Sequence, residues 1–230
     1  MPNSDFSEFL KECTSGFTPV LDKTYSKKDF IHIDLSETNK KIREMPIPSA
    51  VVVKEFIDGY VSSKKAKVAY GGYNEKRNLY QRSVIFNNDA SPSARNIHIG
   101  LDLWADAGTA VLAALDGTVH SYKNNEGFGN YGPTIILEHN LDDRTFYTLY
   151  GHLNMESIKN LSFGQIIEAG DKIGALGGPK VNGDYAPHLH FQIIEDIQGF
   201  TGDYPGVASV DKIEFYLGNC PDPNLLLKIG

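Results

Sequence analysis

The spacing of hydrophobic positions changes near residue 67. Before it the pattern is helical. Phe6, Phe9, Leu10 and Cys13 recur at i, i+3, i+4 and i+7, and Asp5 and Glu8 have capping-box spacing, which predicts a short helix at the start of the chain. Pro46 and Pro48 then punctuate the sequence. A second helix is expected over 49–62, with Val52, Val53, Phe56, Ile57 and Tyr60 as its buried stripe. From Lys67 the period falls to two, in short β-branched and aromatic runs separated by glycine turns. Strands are expected near 67–70, 83–86, 97–103, 110–113, 117–123, 134–139, 146–152, 165–167, 172–176 and 188–195. Helical periodicity is weak here, which favours a mostly β, antiparallel domain over alternating βαβ units. The expected division is a partly helical N-terminal extension, residues 1–66, and a β domain with a C-terminal tail, residues 67–230.

Composition narrows the class only slightly. The chain has 230 residues, 41% hydrophobic and 22% charged, which is globular rather than disordered. The net charge of −7 is unevenly placed, +3 over residues 1–95 and −10 over residues 96–230. An acidic second part gives no electrostatic reason to expect a nucleic-acid partner. The longest apolar run, 110–115, is too short for a transmembrane segment, which needs roughly 20 residues. Residues 1–16 show neither the basic nor the apolar region of a signal peptide. The expectation is a cytoplasmic protein, or a periplasmic or secreted one if a leader has been removed. Cys13 and Cys220 leave one bridge or two free thiols open, and nothing indicates the oligomeric state.

Two glycine-rich stretches fail as nucleotide motifs. Residues 127–132 spell GxGxxG, but Pro133 and a β-branched run follow where a dinucleotide site needs a helix. Residues 174–181 have phosphate-loop glycines and a lysine, yet Val181 stands where a hydroxyl would hold magnesium.

The chemistry lies in the placement of the histidines. Residues 97–103, IHIGLDL, alternate strictly, with His98, Gly100 and Asp102 on one face and apolar residues on the other. Residues four apart in a straight strand are separated by about 13 Å, so His98 and Asp102 can share an ion only if the chain bends near Gly100. In 187–193, PHLHFQI, His188 and His190 share a strand face, an arrangement that lets one bind a metal while the other lies beside it. His152 ends a third strand and gains meaning only if the other two meet it. His32, His120 and His139 have no such company and are expected to be structural or at the surface.

In this order, HIGLD (98–102), YGHL (150–153) and HLHF (188–191) resemble the three signature motifs of the lysostaphin-type zinc endopeptidases. GTAVLAALDGTV (108–119) and LSFGQIIEAGDKIGALG (161–177) are similar to that family's intervening strands, so the resemblance covers about residues 67–200. It implies two antiparallel sheets forming an open groove, with Zn²⁺ on its floor. By position it implies His98, Asp102 and His190 as metal ligands and His152 and His188 as the catalytic pair. The implied partner is a peptide or peptidoglycan, cut at a stem or cross-bridge. The approach to the last motif, GGPKVNGDYAP (177–187), is longer than usual in the family. The flanks GGYNEKRNLY (71–80), GDYPGVA (202–208) and CPDPNLLL (220–227) resemble a variant found in large intracellular multidomain proteins, beside kinase-like and aminotransferase-like domains.

Two alternatives stay open on the sequence. One is a non-catalytic peptide- or glycan-binding module on the same fold. The other is a cupin-like metal enzyme, since His188, His190 and Glu195 fit its first motif, although no later histidine supplies the second.

Overall fold

Helix α1 (Ser4–Glu12) buries Phe6 and Leu10, which the 3.6-residue period stacks on one line. Phe6 and Phe9 both meet the ring of Phe146 edge-on, which anchors the helix to the β domain. Strand β1 (Phe30–His32) and one helical turn, α2 (Lys40–Arg43), lead to α3 (Ala50–Ser63). The Ser49 hydroxyl caps α3 by accepting from the Val52 amide. Ala50 and Ile57 are buried on its inner face, and Val53, Phe56 and Tyr60 pack against the same cluster. Val52 is 39% exposed, unlike the expected stripe, because it lies about 100° of helical rotation from Val53. The computed structural model describes residues 4–45, 49–78, 80, 86 and 94–230. The strand expected at 83–86, apart from Phe86, and the prolines at 46 and 48 lie outside the described residues.

The β domain continues with β2 (Val68–Gly71), β3 (Glu75–Lys76), β4 (Ile97–His98), β5 (Leu101–Trp104), β6 (Ala110–Leu112) and β7 (Gly117–Asn125). Then come β8 (Gly132–Leu141), β9 (Arg144–Gly151), β10 (Ile166–Ile167), β11 (Lys172–Ala175), β12 (His188–Ile194) and β13 (Val207–Ala208). Two short helices, α4 (Ile213–Asn219) and α5 (Asn224–Leu227), close the chain. The mostly β expectation holds. Among the described residues the strands form three sheets: eight strands ordered β1-β2-β5-β12-β9-β8-β7-β10, the pair β11-β6, and β13-β4-β3. β1 joins β2 in parallel, so a strand of the N-terminal segment extends the main sheet.

Alternation along β12 separates core from site. Leu189, Phe191 and Ile193 enter the main core with Leu101, Leu103, Ile135, Leu137 and Tyr150. His188, His190 and Gln192 therefore face the other way. Register places His190 opposite Asp102 on one side and opposite Gly151 on the other.

The bend required near Gly100 is present. The single strand expected at 97–103 is two strands, β4 in the three-stranded sheet and β5 in the eight-stranded one, with Ile99 and Gly100 between them. The break also ends the strict alternation. Ile99 packs with Ile136, Leu149, Ile194, Tyr204 and Cys220, in a different cluster from Leu101 and Leu103. The GxGxxG stretch falls in the β7–β8 hairpin connection, residues 126–131, with its last glycine, Gly132, opening β8. Cys13 and Cys220 are both free thiols. Among the described residues, no helix is long and apolar enough to cross a membrane.

Candidate metal centre

The break at Ile99–Gly100 lets His98, on one sheet, meet Asp102 and His190, on the other. His98 Nε2 lies 2.8 Å from His190 Nδ1, and each nitrogen lies 3.2 Å from Asp102 Oδ1. All three residues are buried, at 1 to 2% exposure. Gly100 makes the approach possible: a Cβ there would stand 2.5 Å from both Cε1 and Nε2 of His190.

Hydrogen bonds fix which ring nitrogens face the cluster. His98 Nδ1 is 2.8 Å from the Gly72 carbonyl, which can only accept, so Nδ1 carries the hydrogen and Nε2 is bare. His190 Nε2 donates to Gln192 Oε1 at 2.9 Å. The Gln192 amide is held in that orientation because its Nε2 donates to Pro205 O and Cys220 Sγ. Burial, opposed by Asp102, lowers the His98 imidazole to about 4, so it is neutral at pH 7. Burial alone would raise the Asp102 carboxyl, but His98 and the Arg77 guanidinium outweigh it and hold the group well below the usual carboxylate range.

Two bare imidazole nitrogens and a carboxylate oxygen thus converge with no hydrogen to share. They repel one another unless a cation lies between them. Ligand bonds of about 2.0–2.1 Å at tetrahedral angles put donors about 3.3 Å apart, close to the observed spacing. His98, Asp102 and His190 form the group that could hold a metal ion. Two imidazoles and one carboxylate suit Zn²⁺ and leave a fourth position open.

The other two histidines lie alongside. His152 and His188 ring centroids are 4.2 Å apart, and His188 Nε2 is 3.7 Å from Asp102 Oδ1. His152 Nδ1 donates to Asn182 O at 2.9 Å and His188 Nδ1 to Ala186 O at 2.7 Å, so both present bare Nε2 atoms. Burial lowers both imidazoles. The long 177–187 loop supplies both of these carbonyls and is held by the buried Asn182 amide, which donates to Gly177 O and Tyr185 O. His152 has φ +63°, a left-handed conformation that a non-glycine residue adopts only where its surroundings impose it. Here the His152 amide donates to Tyr131 O, its ring to Asn182, and its carbonyl accepts from Gly177.

All five candidate residues therefore occupy one cluster. His139 instead is buried between Asp116 O and the Thr148 hydroxyl, His120 meets Ser121, and His32 meets the Tyr70 ring edge-on. A cavity of about 320 Å³ lies over the cluster, walled by Leu35, Ala50 and Val53 from the N-terminal segment and by Trp104, Tyr131 and Tyr185. Sequence reasoning missed Gly72, Arg77, Asn182 and Gln192. Gln192 alone had a signal, since it follows His190 by two on the same strand face.

A mostly β scaffold thus carries a buried His-Asp-His group that could hold a metal ion. Residues 96–201 match the profile of peptidase family M23. The chain is 36% identical to the peptidoglycan DD-endopeptidase ShyC of Vibrio cholerae over 98 residues, 42% of this chain and 20% of that one. It is 31% identical to the L-Ala--D-Glu endopeptidase of Bacillus subtilis over 130 residues, 53% of this chain and 37% of that one. The chain thus spans well under half the length of these relatives. The catalytic domain of lysostaphin from Staphylococcus simulans aligns at 24% identity and a TM-score of 0.37, over 71% of this chain and 96% of that one.

Proposed function

We propose that the protein is a zinc-dependent endopeptidase acting on peptidoglycan-type peptides or cross-bridges. The convergence of His98 Nε2, His190 Nδ1 and Asp102 Oδ1 carries this reading, because the tautomers leave those three atoms nothing to bond but a cation. When bound, zinc supplies Lewis acidity to a scissile carbonyl and to a water in the open position. His188 and His152 do the proton work. The bare Nε2 of His188 takes a proton from the attacking water and passes it to the leaving amine. Asp102 Oδ1, 3.7 Å away, stabilises the imidazolium that forms. His152 accepts from the same water and orients it, and becomes a donor to the developing oxyanion only when protonated. Residues 67–230 form the peptidase part and residues 1–66 its extension, attached through β1 and lending Leu35, Ala50 and Val53 to the cavity wall.

The test is to measure zinc content and hydrolysis in His152→Ala and His188→Ala. Each is expected to keep its zinc and lose roughly 10²- to 10⁴-fold in rate. Full zinc with hydrolysis retained in both refutes the assignment. Zinc-loaded digestion of purified peptidoglycan beside a peptide library identifies the bond, and cleavage of the library alone points to an intracellular substrate.

A further inference from the structure

The segment GGYNEKR (71–77) lies outside the family match at 96–201, yet it touches two of the three metal donors. Gly72 O holds His98, as described above. Arg77 does something different. It is only 4% exposed, and its Nη1 donates to Asp102 Oδ2 at 2.6 Å. Its Nε donates to Glu75 Oε2 at 2.5 Å, and Glu75 Oε1 accepts from the Leu35 amide at 3.1 Å. The guanidinium lies over the Trp104 ring, 5.6 Å from its centroid. Gly72, at φ +99°, leaves room for it, because a Cβ there would stand 1.9 Å from Arg77 Nη2.

This arrangement divides the work of the Asp102 carboxylate. Oδ2 is taken by Arg77, while Oδ1 faces His98, His190 and His188. A carboxylate pinned at one oxygen can ligate through only the other. A free one can rotate or bind through both, filling the position that a water needs. We propose that Arg77 is a positioning residue for the metal centre, fixing Asp102 as a one-oxygen ligand and keeping the fourth position open. Glu75 in turn aims the guanidinium and ties it to the N-terminal segment at Leu35.

This proposal rests on the zinc reading, and one experiment separates the two. Zinc affinity of the full chain is measured by competition with a chromophoric chelator, and the visible absorption of the Co²⁺-loaded protein reports coordination number. Arg77→Met is expected to weaken zinc binding roughly 10- to 100-fold. It should also reduce the intense Co²⁺ bands of a four-coordinate site as the freed carboxylate adds a fifth bond. Arg77→Lys, which can still reach one carboxylate, and Glu75→Gln, which loosens the guanidinium, are expected to fall between. Folded Arg77→Met with unaltered zinc affinity and unaltered Co²⁺ bands overturns the proposal. Removing Arg77 takes the cation away from the buried Asp102 and the partly buried Glu75. If that variant does not fold, unaltered affinity in both Arg77→Lys and Glu75→Gln overturns it equally. An unsubstituted protein that binds neither ion overturns the zinc reading itself, and this proposal with it.

Discussion

Gly100→Ala perturbs the centre by one methyl group. Gly100 is not in the left-handed region, so alanine meets no backbone penalty there, and the effect is steric. The added Cβ stands 2.5 Å from His190 Cε1 and Nε2 and 3.1 Å from Phe191 O. Ordinary contact between such atoms begins near about 3.5 Å, so ring and Cβ must separate by about 1 Å. The ring has little room to retreat. Its Nε2 is held by Gln192 at 2.9 Å, and the Tyr131 ring centroid lies 5.1 Å from its own. Metal–ligand distances tolerate only about 0.2 Å, so a shift of this size takes His190 Nδ1 out of range. Zinc affinity is expected to fall at least about 10-fold, and the metal-free protein to lose about 1–3 kcal/mol through overpacking. Chelator competition measures the first and urea unfolding of the metal-free protein the second. A Gly100→Ala protein that binds zinc as tightly as the original refutes the reasoning, because His190 would then not need the space glycine provides.

Two other substitutions probe pH and helix stability. His98 has its imidazole lowered by burial to about 4 from an ordinary 6.5, so the unfolded chain takes up its proton first as pH falls. The metal-free protein is expected to hold the full contribution above about pH 6.5 and to lose about 3 kcal/mol by about pH 4. His98→Gln should flatten that limb in urea midpoints taken across the range, and an unchanged slope counts against it. Gly59 lies within α3 with nothing within 4 Å of its Cβ position, so Gly59→Ala is expected to stabilise by about 0.5–1 kcal/mol in thermal unfolding. A destabilised Gly59→Ala contradicts the open space seen there.

Long, alternating elements were legible in the sequence, and contacts made by distant segments were not. β12 is readable because its polar and apolar residues alternate from His188 to Ile193, and α3 because its period survives about four turns. β1, β3 and β13 are two or three residues long, too short for any period, and owe their existence to the strands they pair with. Ile99 shows how a local pattern misleads. Alternation placed it with Leu101, but the bend that brings His98 to Asp102 turns it into another cluster. The five histidine and aspartate candidates were found because their spacing and order carry a family signature. Arg77 had no such signal. In an NEKR run it reads as a solvated turn, and its burial is created by Gly72, Trp104 and Asp102 together. Asn182, in a loop of glycine and aspartate, reads as ordinary turn chemistry until its amide is seen holding the loop closed.

The break at Ile99–Gly100 also divides the donors between separate sheets, with His98 on β4 and Asp102 and His190 on β5 and β12. An ion bound there is a cross-link over a seam, holding together two layers joined locally by a two-residue hinge. Because only the folded chain brings these donors together, binding and folding draw on one free energy. Free zinc at 100 times its dissociation constant adds about 2.7 kcal/mol to the folded state, a large share of an ordinary domain's margin. Withdrawal of the ion releases that seam before the eight-stranded sheet, whose pairing does not depend on it. With zinc bound at this seam, its supply would set the lifetime of the folded chain.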